Sequence, residues 1–431
     1  MNPSIPKWLS WAKNGSAALL DQGLISGSNF LIGILLARCL TTEQYGAYGL
    51  AYAIVLLFFT SFQAFLYEPM TVFGSSLYKE CQREYMHGLL RIYAALAATI
   101  FIALGAAAWF ARALGHSASL PGALFGVALL APCLMLYGLA RAGFYFQLRP
   151  QSTIIGSLSY CAVVLSGLWV LSARGLLSPF VAFLLMALAA GGSGGFLLSR
   201  FRRSLQDGAS PPTPREICLR HWEYGRWALA SSTVFWIPNN IYYLVVGGVA
   251  GLTLTARLRA LMNLSTPFSQ VIAALTLILL PYTARQYQES GHSIVEGVTR
   301  NIMKMCAVSS LGYWGLLILF RYHVLHFLYH DRYTDIAEVL PWLALSAIIW
   351  VVANGPTIGL RAMGKPSSVF VSYCVASGVT LLIGIPAALL FGIRGILAGM
   401  ILSSLAAVIS GWLQIRRRAK VHARTLLAEK A

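Results

Sequence analysis

The chain has 431 residues, of which 58% are hydrophobic and only 11% charged, with a mean hydropathy of +0.68. Soluble domains carry about 25% charged residues, so this composition excludes a large water-soluble catalytic domain and points to helices packed in lipid. The formal net charge is +18. In a soluble chain that balance would suggest nucleic acid; in an apolar one the excess of Lys and Arg in cytoplasmic loops accounts for it, and no nucleic-acid partner is expected.

A helix needs roughly 20 apolar residues to cross the hydrocarbon layer. Apolar runs fall at about 17–38, 45–66, 89–110, 121–140, 153–171, 177–198, 227–249, 260–280, 302–320, 339–360, 368–391 and 396–415. The expected fold class is therefore all-α: a polytopic membrane protein of twelve transmembrane helices in two six-helix lobes, 1–210 and 211–431. With both termini in the cytoplasm, 24 of the 32 basic residues fall on the cytoplasmic side and 8 on the other, the bias that orients such chains. The expected location is the bacterial inner membrane. Asp21, Gln22 and Asn29 interrupt the first run, which argues against a cleaved signal. Trp8 and Trp11 beside Lys7 and Lys13 suggest a surface-lying start.

The segment at about 199–226, with Pro211-Pro212-Thr213-Pro214, reads as a linker between halves. Repeated signals support a duplication. Leu120-Pro121 and Leu340-Pro341, Arg141-Ala142 and Arg361-Ala362, and Arg174-Gly175 and Arg394-Gly395 recur at one offset of 220 residues. An even number of helices per half gives parallel repeats related by an axis along the membrane normal, with a cleft between them. GxxxG spacings at Gly23…Gly27, Gly122…Gly126, Gly191…Gly195, Gly355…Gly359 and Gly395…Gly399 read as helix packing.

Ionisable groups within spans mark function or a structural pair. Asp21 lies one turn inside the first run, on a polar stripe with Ser28 and Asn29. It either couples to an ion or pairs with a basic residue that fixes packing. Glu68 before Pro69 is the second acidic candidate for ion coupling. Arg38, Arg257 and Arg259 at outer helix ends, and Arg141 and Arg361 at matching cytoplasmic positions, could line a cationic passage suited to phosphate; interfacial arginines also simply orient helices. These five and Asn29 form the expected substrate-binding set. Seven scattered cysteines with no CxxC indicate neither disulfides nor zinc. Gly191–Gly195 matches GxSxG but sits in an apolar helix rather than a strand–turn–helix. His323, His326 and His330 near Asp331 fit an interfacial belt better than a metal site. No Walker A or HExxH pattern occurs, so neither a metal nor another cofactor is expected.

The run DQGLISGSNFLIGILLARCLTTEQYGAYGLAY from Asp21, YEPMTVF at 67–73 and LPY at 280–282 resemble the oligosaccharide flippases of the polysaccharide transport family (Wzx-like). These belong to the multidrug/oligosaccharidyl-lipid/polysaccharide exporter superfamily. The resemblance is strongest over the first ~80 residues and implies a V-shaped pair of six-helix lobes. It implies a monomer that flips an undecaprenyl-diphosphate-linked oligosaccharide through a cationic cavity, with proton or sodium coupling. The partners it implies are that lipid-linked oligosaccharide, membrane lipids, and polysaccharide polymerase or export machinery. No bond is made or broken, so the chain is not expected to be an enzyme. The runner-up is a MATE-like drug antiporter of the same fold, which would want more intramembrane carboxylates. A membrane-embedded glycan polymerase or ligase comes third, since its large external loop is missing.

Overall fold

The computed structural model describes residues 7–115, 117–147, 149–205 and 213–428. Among them there are helices and turns and no strand. Among the described residues ten helices are long and apolar enough to cross a bilayer, and they make this a multi-pass membrane protein. Contacts divide the chain into two compact units, Met1–Thr233 and Val234–Ala431.

The first unit begins with α1 (Lys7–Cys39). It is one uninterrupted helix, so the expected surface-lying start is continuous with the first span. Thr41 and Gln44 then form a reciprocal capping box that starts α2 (Thr42–Phe62). A π-turn, Gln63–Tyr67, leads into α3 (Glu68–Ser75), which has Pro69 in its first turn. α4 (Gln82–Ala113), α5 (Ser119–Phe146), α6 (Gln151–Ala173) and α7 (Pro179–Arg203) complete the bundle. α8 (Pro214–Val249) follows. The segment expected as a loop at about 199–226 is therefore helical at both ends, and Pro211 and Pro212 lie outside the described residues. The boundary between units falls inside α8, at Thr233/Val234, rather than at 210/211. The reason is that the start of α8 packs into the first unit, where Ile217 reaches Gly88 of α4 and Gly225 sits against the Phe65 backbone.

Proline removes one backbone donor and frees the carbonyl four residues earlier. In two places a side chain from another helix takes that carbonyl. Pro69 frees Phe65 O, which accepts a hydrogen bond from His221 Nδ1 of α8 at 3.0 Å. Pro238 frees Val234 O, which accepts from the Ser377 hydroxyl at 2.6 Å. His221 Nδ1 being the donor, its Nε2 is an acceptor, and the Tyr85 hydroxyl donates to it at 2.7 Å.

The second unit holds α9 (Leu252–Ser290), α10 (His292–Leu319), α11 (Arg321–Tyr329), a 3-10 turn at Thr334–Glu338, α12 (Leu340–Val352) and α13 (Asn354–Ala362). α14 (Pro366–Val379), a second π-turn at Thr380–Gly384 and α15 (Ile385–Ala428) end it. α15 is broken at Gly392, whose φ of 58° and ψ of −131° are not helical. A Cβ placed on Gly399 would lie 2.6 Å from Gly384 Cα. Residues on either side of Gly392 thus lie side by side, and the chain doubles back there as a helical hairpin. The Tyr242 hydroxyl wedges against both glycines. Small residues serve close packing here as expected, and Gly355 and Gly359 likewise abut α10. Gly23 and Gly27 differ: among the described residues no other side chain or helix comes within 4 Å of where their Cβ atoms would be.

Candidate functional site

The first unit encloses a polar cluster built from α1, α5 and α6. On α5, Tyr137, Arg141 and Tyr145 recur every four residues and so share one face. On α1, Asp21 is fully buried and meets that face. Arg141 Nη2 donates to Asp21 Oδ2 at 2.5 Å, and the Tyr145 hydroxyl donates to the same oxygen at 2.7 Å. Ser157 of α6, also buried, donates to Oδ1 and is within 2.9 Å of the Tyr137 hydroxyl. The guanidinium lies 5.4 Å from the centre of the Tyr137 ring. A carboxylate taken out of water needs a countercharge and filled acceptor sites; Asp21 has one cation and two hydroxyls. Arg141 keeps one reserve: its Nε is buried with no partner among the described residues.

The other expected residues stand apart from this cluster. Ser28 is buried and donates back to Ile25 O of its own helix at 2.9 Å. Asn29 is half-buried, eight residues along α1 from Asp21 and so about 12 Å away along the axis. Arg38 is half-buried in the last turn of α1, where a cation complements the helix dipole. Glu68 is exposed at the start of α3. In the second unit Arg257 is bound to Asp335 at 2.9 Å. Arg259 is half-buried and hydrogen-bonded to the Tyr243 hydroxyl.

Arg361 differs from these. It is an exposed residue at the end of α13 and one of those lining a partly open cavity of about 400 Å³ between α8, α9, α10 and α12–α15 within the second unit. It is the one charged residue among the described lining residues, which otherwise carry hydroxyls, amides, aromatic rings and aliphatic groups. No acidic residue lines the space.

Sequence reasoning singled out Arg141, though for substrate rather than as the named partner of Asp21, and missed Tyr145 and Ser157. The four-residue spacing of Tyr137, Arg141 and Tyr145 puts them on one helix face but names no partner for it, and Ser157 gave no signal. Among the described residues no group of three or more His, Cys, Asp and Glu could hold a metal. His326 pairs with Asp331 at 2.7 Å on the surface, and all seven cysteines are free thiols.

The sequence matches no protein-family model and no curated protein. Solved structures do match along nearly the whole chain. An inward-facing multidrug resistance MATE family transporter of the MOP superfamily superposes with a TM-score of 0.72 at 15% identity, covering 94% of this chain and 96% of that chain. An outward-facing multidrug resistance MATE family transporter of the MOP superfamily gives 0.68 at 14% identity, covering 96% of both chains. A MOP superfamily transporter from Pyrococcus furiosus, described as having a binding pocket of reverse polarity that suggests a different function, gives 0.68 at 14% identity and covers 95% of both. The chain has the fold of the MATE transporters. The first of these transporters is inward-facing and the second outward-facing.

Proposed function

We propose that this protein exports an anionic, lipid-linked oligosaccharide across the cytoplasmic membrane by alternating access, using twelve crossings in two six-helix lobes with both termini inside. Two features support twelve. The last of the ten apolar spans is a hairpin of two helices folded at Gly392, and α8 supplies a further 36-residue helix.

The observation that carries the substrate class is the disposition of charge. The one deeply buried carboxylate among the described residues, Asp21, is already neutralised by Arg141. The cavity of the second unit has Arg361 as its charged lining residue. An organic cation finds no free acid there, while a diphosphate finds guanidinium, the group that binds it bidentately. A sugar–diphosphate head cannot cross hydrocarbon unaided, because desolvating its charges and hydroxyls is too costly; a polar route removes that barrier. Asp21 enters the cycle by releasing its partner: a proton on the carboxyl breaks the pair and frees the Arg141 guanidinium for phosphate. Arg38, Arg257, Arg259 and Asn29 line the remainder of the route, and Glu68 is the second coupling acid. Polysaccharide polymerase or export machinery would take the product.

A second reading, a multidrug antiporter, is favoured by two of the solved MATE structures, which are multidrug resistance transporters. Reconstituted vesicles separate the two. Export predicts transfer of an undecaprenyl-diphosphate-linked disaccharide to the far leaflet, read by accessibility to an added glycosidase. Transport of cationic dyes, with no movement of the lipid-linked sugar, would replace the first reading with the second.

A further inference from the structure

Two consecutive helices of the first unit each turn one face into the same groove. On α4 the face is Gly105, Ala108, Trp109 and Arg112, and on α5 it is Ala118, Pro121, Gly122 and Phe125. Both sets follow the spacing i, i+3, i+4, i+7, which makes a single stripe on each helix. Phe180 at the start of α7 completes the wall, its ring stacked on Phe125 with centroids 6.0 Å apart. Between the rings the surface is recessed: a Cβ on Gly105 would meet nothing within 4 Å. The partly open space measures about 640 Å³.

The groove runs from the helix ends into the depth of the bilayer. Arg112 lies in the last turn of α4, and Ala118 caps the start of α5. Gly105 is seven residues back from Arg112 and so about 10 Å deeper. This edge of the unit faces lipid, since Phe101, Ile102, Phe110 and Leu114 of α4 are all exposed in a chain that spans the membrane. Trp109, 71% exposed, stands beside Arg112 where aromatic side chains mark headgroup level. Arg112 itself is exposed, with no ion pair or hydrogen bond among the described residues. No acidic residue is among the described lining residues.

A free cation at headgroup level above an apolar slot matches an amphiphile with a negative head. A zwitterionic head would bring an ammonium that finds no acid here. An apolar helix from a partner would cover Arg112 without a countercharge. We propose that this groove holds an acyl chain of an anionic phospholipid, with the lipid phosphate on the Arg112 guanidinium. The site lies apart from the Asp21 cluster and does not depend on the export reading.

The experiment uses the full chain, delipidated in detergent, titrated with lipid and read by native mass spectrometry, with thermal unfolding to check each variant. The lipids are phosphatidylglycerol and phosphatidylethanolamine with identical chains; glycerol 3-phosphate supplies the phosphate without a tail. Phosphatidylglycerol is expected to bind about fivefold more tightly than phosphatidylethanolamine, the worth of one basic residue at an anionic lipid surface. Glycerol 3-phosphate is expected not to bind. Arg112→Ala should abolish the preference between the two lipids. Arg174→Ala, at the exposed end of α6 and outside the groove, should keep it. Gly105→Leu enters open space and favours helix, so it should fold and weaken both lipids. Equal binding of the two lipids by the wild type, a preference that survives Arg112→Ala, or a preference lost equally in Arg174→Ala overturns the proposal. So does unchanged lipid affinity in folded Gly105→Leu. Dimers that Gly105→Leu dissociates, without any lipid preference, would assign the groove to a second copy of the chain and overturn it as well.

Discussion

The Asp21–Arg141 pair offers a direct test of how charge is held inside the first unit. The perturbations are Asp21→Asn, Arg141→Gln and the double variant. Either single change leaves one buried group uncompensated: the guanidinium, whose side chain is only 14% exposed, or the carboxylate, which is fully buried. Breaking a buried pair by removing one partner costs about 3–5 kcal/mol. For a unit of this size that lowers the Tm by on the order of 10 °C. The double variant places two neutral amides in the same space, within reach of each other and of Ser157 and Tyr145. Its loss should be smaller than that of either single, giving a coupling energy of several kcal/mol in a double-mutant cycle. The assay is thermal unfolding in detergent, with transport measured in vesicles on the same preparations. The double variant should fold yet fail to transport, because it has neither the group that takes the proton nor the one that is released. Additive losses, or single variants within about 0.5 kcal/mol of wild type, would refute the ion-pair reasoning. Wild-type transport by the double variant would remove the pair from the cycle.

Three further outcomes are expected. Burial pushes His221 down to about 4 from its ordinary 6.5. Between those values the unfolded chain binds a proton that the folded one does not. Stability is therefore at its full value above pH 6.5 and falls by about 3 kcal/mol as the pH drops to about 4; His221→Asn should flatten that slope in a pH series of melting curves. Gly399→Val would drive a side chain into Gly384 Cα and splay the hairpin at a cost of about 3 kcal/mol, read as a loss of folded yield, whereas Ser404→Ala nearby should be nearly silent. Arg257→Ala removes an exposed pair with Asp335 whose side chains are 45% and 48% exposed, so it should change stability by less than about 1 kcal/mol; a larger loss would show that the pair is worth more than its exposure suggests.

Much of the architecture was legible because it is written in runs of apolar residues, and each of the twelve runs falls on helix. The length of α8 was not, since residues 214–226 are too polar to read as part of a span and are helical because they pack on Phe65, Tyr85 and Gly88. Arg394 and Gly395 read as a loop, yet the reversal is made at Gly392 in a turn tight enough for helical spacing to resume at once. In the site, Asp21 stood out as a charge in an apolar helix, and pairing with a basic residue was one of its two readings. Which residue it meets could not be read: Arg141 is 120 positions away, and nothing local distinguishes it from the other arginines in the expected set. The cavity of the second unit was invisible for a related reason. Its lining comes from seven helices, and single serines and tryptophans in apolar runs carry no pattern of their own.

The two π-turns alter how the chain should be scanned by mutation. Each accommodates one residue more than the helical repeat allows, and one residue is about 100° of rotation. A wheel drawn through Thr42–Gly74 as a single helix will therefore assign the wrong sides to everything past Tyr67, and one drawn through Pro366–Phe391 will do so past Gly384. A substitution series should show tolerance oscillating with one phase up to Gln63, then jumping by about a quarter-turn beyond Tyr67. Deleting a single residue inside either turn would restore a regular spiral, but it would also swing the following segment, Pro69 or Pro386 included, onto a different neighbour.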